Sequence, residues 1–471
     1  MNKLKIIWQC FYVSLLLITL GCQNDGDGVA GDVVINLSEN LFSAENEETF
    51  TVNVTLENLN AMSRLEIRKL ADGNSSLFKT MSKSEVGSGN FTFTYSLTAE
   101  DLKFDEIIFR FNAMRQDGTV GGTNSFKINN KFGIYVSNVK QIARVTGASH
   151  PNDNGLPSPN NTCRDYDVCG TDLGIIWAMD GNKVGIFFGD TFGSTFIPYK
   201  EGGGGSGGNW RSNVLAFSED TGLDDGLTIS GMAMSNDGSY AREIALKIPG
   251  AYNTSIPTSA IRANGSDYVH YMNIYNWSGP NYSWITNHSS LYASRDGAKT
   301  WSRVEAVTFA PGSNFSQVAY AKKDGYVYMI GTLAGRGGAA YLARILERNM
   351  ENMQEYEYWN GNSNQWVKGD ERSATIIIPA IIGEASLIYH EKFQRWIYTY
   401  TKEGKGLVYR DTKDITNWKL SKEKDLAVGI PGGIYGSFIH PLSANLDKLY
   451  FIMSIWYPCN SFLISVDMKN Y

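Results

Sequence analysis

The sequence predicts an all-β protein in two parts, a small Ig-like β-sandwich followed by a propeller or large barrel. Three observations point there. Segments between about residues 33 and 130 alternate apolar and polar side chains with period two. From residue 131 onward, short aromatic-rich runs recur between glycine-rich turns, and long Ala/Glu/Lys/Leu/Arg runs with a helical period are missing. The 471 residues include only 19% charged and 13% aromatic side chains, the composition of a large folded body and the reverse of a disordered chain. A net charge of −6 without a basic run argues against a phosphate-backbone partner, because that affinity comes from clustered Lys and Arg. Nucleic acid is therefore not expected as a partner.

Residues 1–21 read as a signal peptide. Lys3 and Lys5 precede the apolar run from Ile6 to Leu20, which is shorter than the ~20 residues a bilayer span requires and fits the apolar region of an export signal. The run ends in Leu-Ile-Thr-Leu-Gly-Cys, and the small residue before Cys22 resembles the lipobox of bacterial lipoproteins, where cleavage leaves that cysteine lipidated. An ordinary signal peptide with an incidental cysteine is the alternative. The following Gln23-Asn24-Asp25-Gly26-Asp27 resembles the acidic tag of surface-exposed Bacteroidetes lipoproteins. These resemblances imply a tether over 22–32 and an outer-membrane lipoprotein exposed at the cell surface.

The sandwich is placed at 33–130 on three alternating runs, Thr49 to Leu56, Asn90 to Leu97 and Ile107 to Ala113, with Gly, Asn and Asp between them. It contains no His and no Cys, and its carboxylates fall mostly in turns. A spacer or docking module is the expected role.

Residues 131–471 form the second part, and at four strands per blade this length allows five or six blades. Ser294-x-Asp296-Gly297-x-x-Thr300-Trp301 resembles the aspartate box of sialidase-like propellers. In that hairpin turn Asp caps turn amides and Trp packs beneath, so Asp296 is expected to be structural. The run Gly202 to Gly208 lies between strands of one domain, and a mobile loop over a channel mouth is expected. Cys163 and Cys169 flank a short polar loop that an oxidising compartment would let a disulfide close; two free thiols are the alternative. Structural zinc needs four ligands in paired short spacings that are missing here, and no metal is expected. Cys459 reads as a buried small hydrophobe.

Many aromatics on a surface protein point to saccharides, whose rings stack on aromatic faces. Glycosidic cleavage needs two carboxyls, one giving a proton to the leaving oxygen and the other supporting water or attacking the anomeric carbon. Asp172 in Gly-Thr-Asp-Leu-Gly starts one apolar strand, and Asp190 in Phe-Phe-Gly-Asp-Thr-Phe-Gly ends the next. In an antiparallel hairpin those positions share one end of the sheet, so the two carboxyls can face one another; two Asp residues capping loop amides are the alternative.

These two motifs are followed in order by Asn209-Trp210-Arg211-Ser212-Asn213, Gly383-Glu384-Ala385-Ser386-Leu387, Tyr435-Gly436-x-x-x-His440-Pro441 and Ser454-Ile455-Trp456-x-Pro458. Together, over about residues 140 to 471, they resemble the family long called domain of unknown function 4185. Members of it are placed in glycoside hydrolase family 183, endo-D-arabinanases with a five-bladed propeller that cut the arabinan of mycobacterial cell walls. The resemblance implies a five-bladed catalytic propeller over 131–471, an endo-acting hydrolase on an arabinan polysaccharide, and no cofactor. It implies catalytic roles for Asp172 and Asp190, which match an Asp in each of the family's first two motifs. The last motif departs from the pattern, reading Trp-Tyr-Pro-Cys-Asn where Trp-x-Pro-Tyr-Asn is expected. Arg211 and Asn213 beside Trp210, Glu384 at the head of an apolar strand, and His440 before Pro441 are the expected substrate contacts. For His440, capping a turn is the alternative. A non-catalytic glycan-binding lipoprotein and an adhesin working through its sandwich are the competing readings.

Overall fold

The computed structural model describes residues 31–471, Asn46 and Ala99 excepted. The signal peptide, the lipidation site Cys22 and most of the tether lie outside the described residues. The chain divides into two compact units. One comprises the described residues up to Phe42 with Thr49–Ser96 and Glu106–Ile128, and the other comprises Ser43–Glu48, Leu97–Asp105 and Asn129–Tyr471. The short segments at 43–48 and 97–105, read from sequence as part of the sandwich, group with the larger unit.

The smaller unit is a sandwich of a three-stranded and a five-stranded sheet. Its strand Thr49–Glu57 shows why period two is decisive: Phe50, Val52, Val54 and Leu56 are buried while Thr49, Thr51 and Asn53 are exposed. Successive side chains of a strand point to opposite faces, so one face becomes core. Phe93 of one sheet meets Phe109 and Phe111 of the other at 5.2 and 5.4 Å between ring centroids, and these tilted and edge-on contacts fill the space between the sheets.

The larger unit contains five antiparallel sheets in chain order. Their first strands are Leu173–Ala178, Thr254–Ala263, Gln317–Lys323, Ala385–His390 and Ile434–Ile439. Each first strand touches the first strand of the next sheet, and the fifth touches the first again, so the sheets form a closed ring. Four sheets have four strands each and the third has six. The outermost strand of the fifth sheet is Ile134–Arg144, from the start of the unit, paired antiparallel with the last strand Asn460–Asn470. Closure of this kind leaves no free edge between the two chain ends.

Between the first two sheets the packing centres on Trp177, which is 2% exposed. It stacks on Phe187 at 5.3 Å, receives the edge of Trp301 and donates Nε1–H to buried Asp267 at 3.0 Å. Asp267 is also paired with Arg262 at 2.8 Å. Gly185 makes room for the indole, because a Cβ there would stand 2.1 Å from its ring.

Trp301 belongs to the turn identified in the sequence. Asp296 accepts the amides of Lys299 and Thr300 at 3.1 and 2.9 Å and the Thr300 hydroxyl, which holds its carboxyl well below the usual range. The same device recurs where sequence reading missed it. Ser218-x-Asp220 and Thr412-x-Asp414 also end the third strands of their sheets, and Asp220 and Asp414 accept turn amides at 2.9 Å. Trp418 bonds back to Ile415 at 2.7 Å much as Trp301 bonds to Ala298 at 3.2 Å.

Replacing Trp177 by Ala empties the contact between two sheets and deprives Asp267 of a donor. A loss of about 3–5 kcal/mol is expected, measured by denaturant unfolding, and a loss under about 1 kcal/mol would contradict this packing role.

Candidate functional site

A cavity of about 800 Å³ opens where the five first strands begin, and Asp172, Asp190, Gln317, Arg336, Glu384 and Tyr435 are among its lining residues. The strand direction explains the grouping. Asp172, Gln317, Glu384 and Tyr435 stand within one residue of the start of a first strand in four different sheets.

Asp172 is aimed into the cavity by an irregular strand start. Leu173 adopts φ 64°, a left-handed value that costs a branched side chain strain, and the register shifts between Leu173 and Ile175. The strained residue is held on both sides of its backbone: its N–H donates to Ser454 Oγ at 2.6 Å and its carbonyl accepts from Ser461 Oγ at 2.9 Å. Gly189 faces the carboxyl so closely that a Cβ would stand 2.3 Å from Asp172 Oδ1. Asp172 Oδ2 accepts the Tyr435 hydroxyl at 2.9 Å, whereas Oδ1 is buried without a partner.

Asp190 follows the neighbouring strand Val184–Phe188. The hydroxyls of Thr171 and Thr191, each adjacent in sequence to one of the two acids, meet at 2.7 Å and fasten the two loops together. Asp190 Oδ1 accepts from Trp210 Nε1 and from Thr254 Oγ1, both at 2.8 Å. Burial pushes the Asp172 carboxyl up to about 7, with the Asp190 charge adding to it and the Tyr435 hydrogen bond opposing. Burial also pushes Asp190 up, to about 6, against its hydrogen bonds from Trp210 and Thr254. One acid thus has an oxygen that no donor stabilises, and the other has donors suited to the ionised form.

Glu384 lines the same cavity as a paired anion. Arg336 grips it through Nη2 at 2.8 Å and Nε at 3.1 Å, extends Nη1 to Glu403 at 3.2 Å, and lies over the Tyr435 ring at 5.1 Å. The ring that orients Asp172 is therefore itself covered by a fixed guanidinium.

The other expected contacts are corrected by the structure. Arg211 is buried and spends its guanidinium on the carbonyls of Asn209, Ala241 and Asp167. Asn213 donates to the carbonyls of Ala245 and Ser255 and accepts the amides of Ile244 and Ala245, which uses all its capacity. Both residues hold a loop, and Trp210, immediately before Arg211 in the chain, is the one that reaches an acid, Asp190. His440 is buried away from the cavity and caps the turn Pro441–Asn445, accepting the Leu442 amide at 3.2 Å. Residues 202–208 are likewise not a free-standing loop. Gly203 and Gly204 sit against the Trp456 indole, where a Cβ would come within 2.6 and 2.4 Å, and the Gly204 amide bonds to the Trp456 carbonyl at 2.9 Å. Cys163 and Cys169 form a disulfide, and Cys459 is a free, buried cysteine at the cavity wall.

Sequence reasoning missed Arg336, Gln317 and Thr254, and it quoted Tyr435 without giving it a role. Tyr435 had a usable signal, standing in the same motif as His440. Arg336 in Ala-Gly-Arg-Gly-Gly carried none.

The model of the family described as domain of unknown function (DUF4185) matches residues 157–465, and the chain belongs to that family. Among curated proteins, the chain is 27% identical over 314 residues to notoamide biosynthesis cluster protein J of Aspergillus sp. (strain MF297-2), covering 62% of this chain and 81% of that protein. It is 26% identical to notoamide biosynthesis cluster protein J' of Aspergillus versicolor, covering 62% and 82%. Similar solved structures include a B. megaterium levansucrase variant, at 12% identity and TM-score 0.31 over 75% of this chain and 87% of that one. A Streptococcus pneumoniae NanB sialidase mutant matches at 8% identity and TM-score 0.32 over 89% and 83%.

A carboxyl raised in the folded state keeps a proton that the unfolded chain has released. Its stabilising contribution is full at low pH and is lost as pH rises from the ordinary aspartate range through about 6 to 7. Asp172→Asn cannot ionise, so its melting temperature should match the parent near pH 4 and exceed it near pH 8. A gap that does not change with pH would show that Asp172 is not a raised carboxyl.

Proposed function

We propose, taking membership of the DUF4185 family as the premise, that the protein is a glycoside hydrolase acting within D-arabinan chains. The observation that carries this is the pair Asp172 and Asp190 in one cavity, with environments that treat their charges differently. Asp172 acts as the acid: its partnerless Oδ1 suits a protonated carboxyl that gives its proton to the leaving glycosidic oxygen. Asp190, with two donors on Oδ1, is the carboxylate that activates water or attacks the anomeric carbon. Water completes the hydrolysis and restores both groups.

The cavity chemistry favours a neutral sugar. Its lining carboxylates are Asp172, Asp190, Glu384 and Glu403, and its cations are already engaged: Arg336 with Glu384, Lys402 with Glu423 and Lys405 with Asp425. No lining cation among the described residues is left to receive a carboxylate or phosphate on the substrate. Trp277 and Trp456, each about half exposed, offer ring faces beside the cavity for further sugars of a chain. We read the ring of five sheets as a five-bladed propeller and the sandwich as an Ig-like spacer. Cys22 is proposed to carry the lipid that holds the enzyme on the outer membrane.

The test is incubation with arabinogalactan and a panel of other glycans, followed by chromatography of released oligosaccharides. Asp172→Asn and Asp190→Asn should each lower turnover about 10²- to 10⁴-fold, while Asp296→Asn, in its turn away from the cavity, should keep the parent rate on whatever protein folds. Activity should rise as Asp190 ionises through about 6 and fall as Asp172 loses its proton through about 7, the two limbs belonging to the coupled pair. Near-parental cleavage by both Asn variants would refute the assignment. Binding of arabinan without cleavage would replace it by a glycan-binding role.

A further inference from the structure

We infer that Gln317 receives two adjacent hydroxyls of the sugar ring on which the acid pair acts, an inference that rests on the glycosidase reading above. Gln317 is the first residue of the third sheet's first strand and lines the same cavity as Asp172 and Asp190. It is only 4% exposed, yet neither its amide nitrogen nor its amide oxygen has a hydrogen-bond partner. Buried polar groups are almost always paired, and a pair of unpaired atoms on one side chain calls for a reason.

The position of the orphaned atoms supplies it. Among the described residues with a buried, partnerless side-chain atom, Asp172 and Gln317 are the ones at the cavity; Tyr398, Ser437 and His440 are not among its lining residues. An apolar side chain of the same length would fill the space without leaving polar atoms unpaired, so the amide is matched to something that enters the cavity. An amide sets an N–H donor group and a carbonyl acceptor side by side. A bound cation would use only the oxygen and a bound anion only the nitrogen. Two neighbouring hydroxyls of a sugar ring use both, one accepting from the N–H and the other donating to the C=O. A site built in this way also discriminates, since a ring lacking either hydroxyl, or carrying a substituent on it, leaves the amide unpaired again.

The test compares Gln317→Met, which keeps length and removes both polar atoms, and Gln317→Ala, each in the Asp172→Asn background that binds without cutting. Affinity for arabinan oligosaccharides is measured by calorimetry and stability by thermal unfolding without ligand. Gln317→Met should weaken binding about 10- to 100-fold while its melting temperature holds or rises, because unpaired buried atoms are removed. Gln317→Ala should weaken binding similarly. A fall of several degrees in Gln317→Met would mean that the amide serves the fold, and unchanged affinity in both variants would mean that it does not touch the sugar; either result overturns the inference while leaving the acid pair in place. If the Asp172→Asn protein itself binds no arabinan, the glycosidase reading fails and this inference fails with it.

Discussion

The pairing of Ile134–Arg144 with Asn460–Asn470 is the constraint on which the rest of the larger unit depends. It joins the start of the unit to its last strand, and without it the fifth sheet would lose its outer strand and the ring its closure. The seam is reinforced where it matters. Arg144 is buried in a two-pronged pair with Asp153 at 2.8 and 2.6 Å, and Thr146 bonds to Asn460 at 2.9 Å and accepts the Ser461 amide at 3.0 Å. Ser461 in turn holds the Leu173 carbonyl, Ser454 holds its amide, and Tyr435 holds Asp172. Asp172 is carried by the first sheet but oriented by the fifth. Its position is therefore a consequence of closure, and the strained φ at Leu173 persists because residues from the far end of the chain fix both of its backbone groups.

The same arrangement explains how two aspartates beside each other come to differ. Burial raises both. What separates them is the supply of donors: Trp210 and Thr254 converge on one oxygen of Asp190, while Asp172 has a single phenol on Oδ2 and nothing on Oδ1. The charge of Glu384, which would push Asp172 further, is taken up by Arg336, and Arg336 is steadied by Glu403 and by the Tyr435 ring. Charges that would otherwise compete at the site are thus tied into a chain that ends on the phenol orienting Asp172.

What was legible in the sequence was local. Period two in Thr49–Glu57, the Ser294-x-Asp296 turn and the hairpin relation between Asp172 and Asp190 all depend on residues close in the chain, where strand geometry fixes the outcome. What was not legible came from partners far away in sequence. Arg211 and Asn213 looked like sugar contacts because polar groups flank an exposed tryptophan, but their capacity is consumed by carbonyls and amides some 30 residues on, including those of Ala241 and Ala245. The glycine run reads as a mobile loop over a channel mouth, but the Trp456 indole, some 250 residues later, occupies the space that side chains at Gly203 and Gly204 would need. Arg336 and Gln317 sit in unremarkable local contexts and acquire meaning only when the ring brings strand starts together.

These placements also set the cavity apart from the turns of the ring. Elsewhere, devices such as the Asp296, Asp220 and Asp414 turns satisfy their own amides within a few residues. In the cavity, Asp172 Oδ1 and both polar atoms of Gln317 are buried without partners. A fold could lower its free energy by replacing either side chain with an apolar one, since unpaired buried polar groups oppose folding. Keeping them is a cost in stability that, on the glycosidase reading proposed above, a bound sugar offsets. The closed ring is what makes that arrangement tolerable, because the backbone pairing of Ile134–Arg144 with Asn460–Asn470 ties the fifth sheet, whose residues fix the start of the first, to the beginning of the ring.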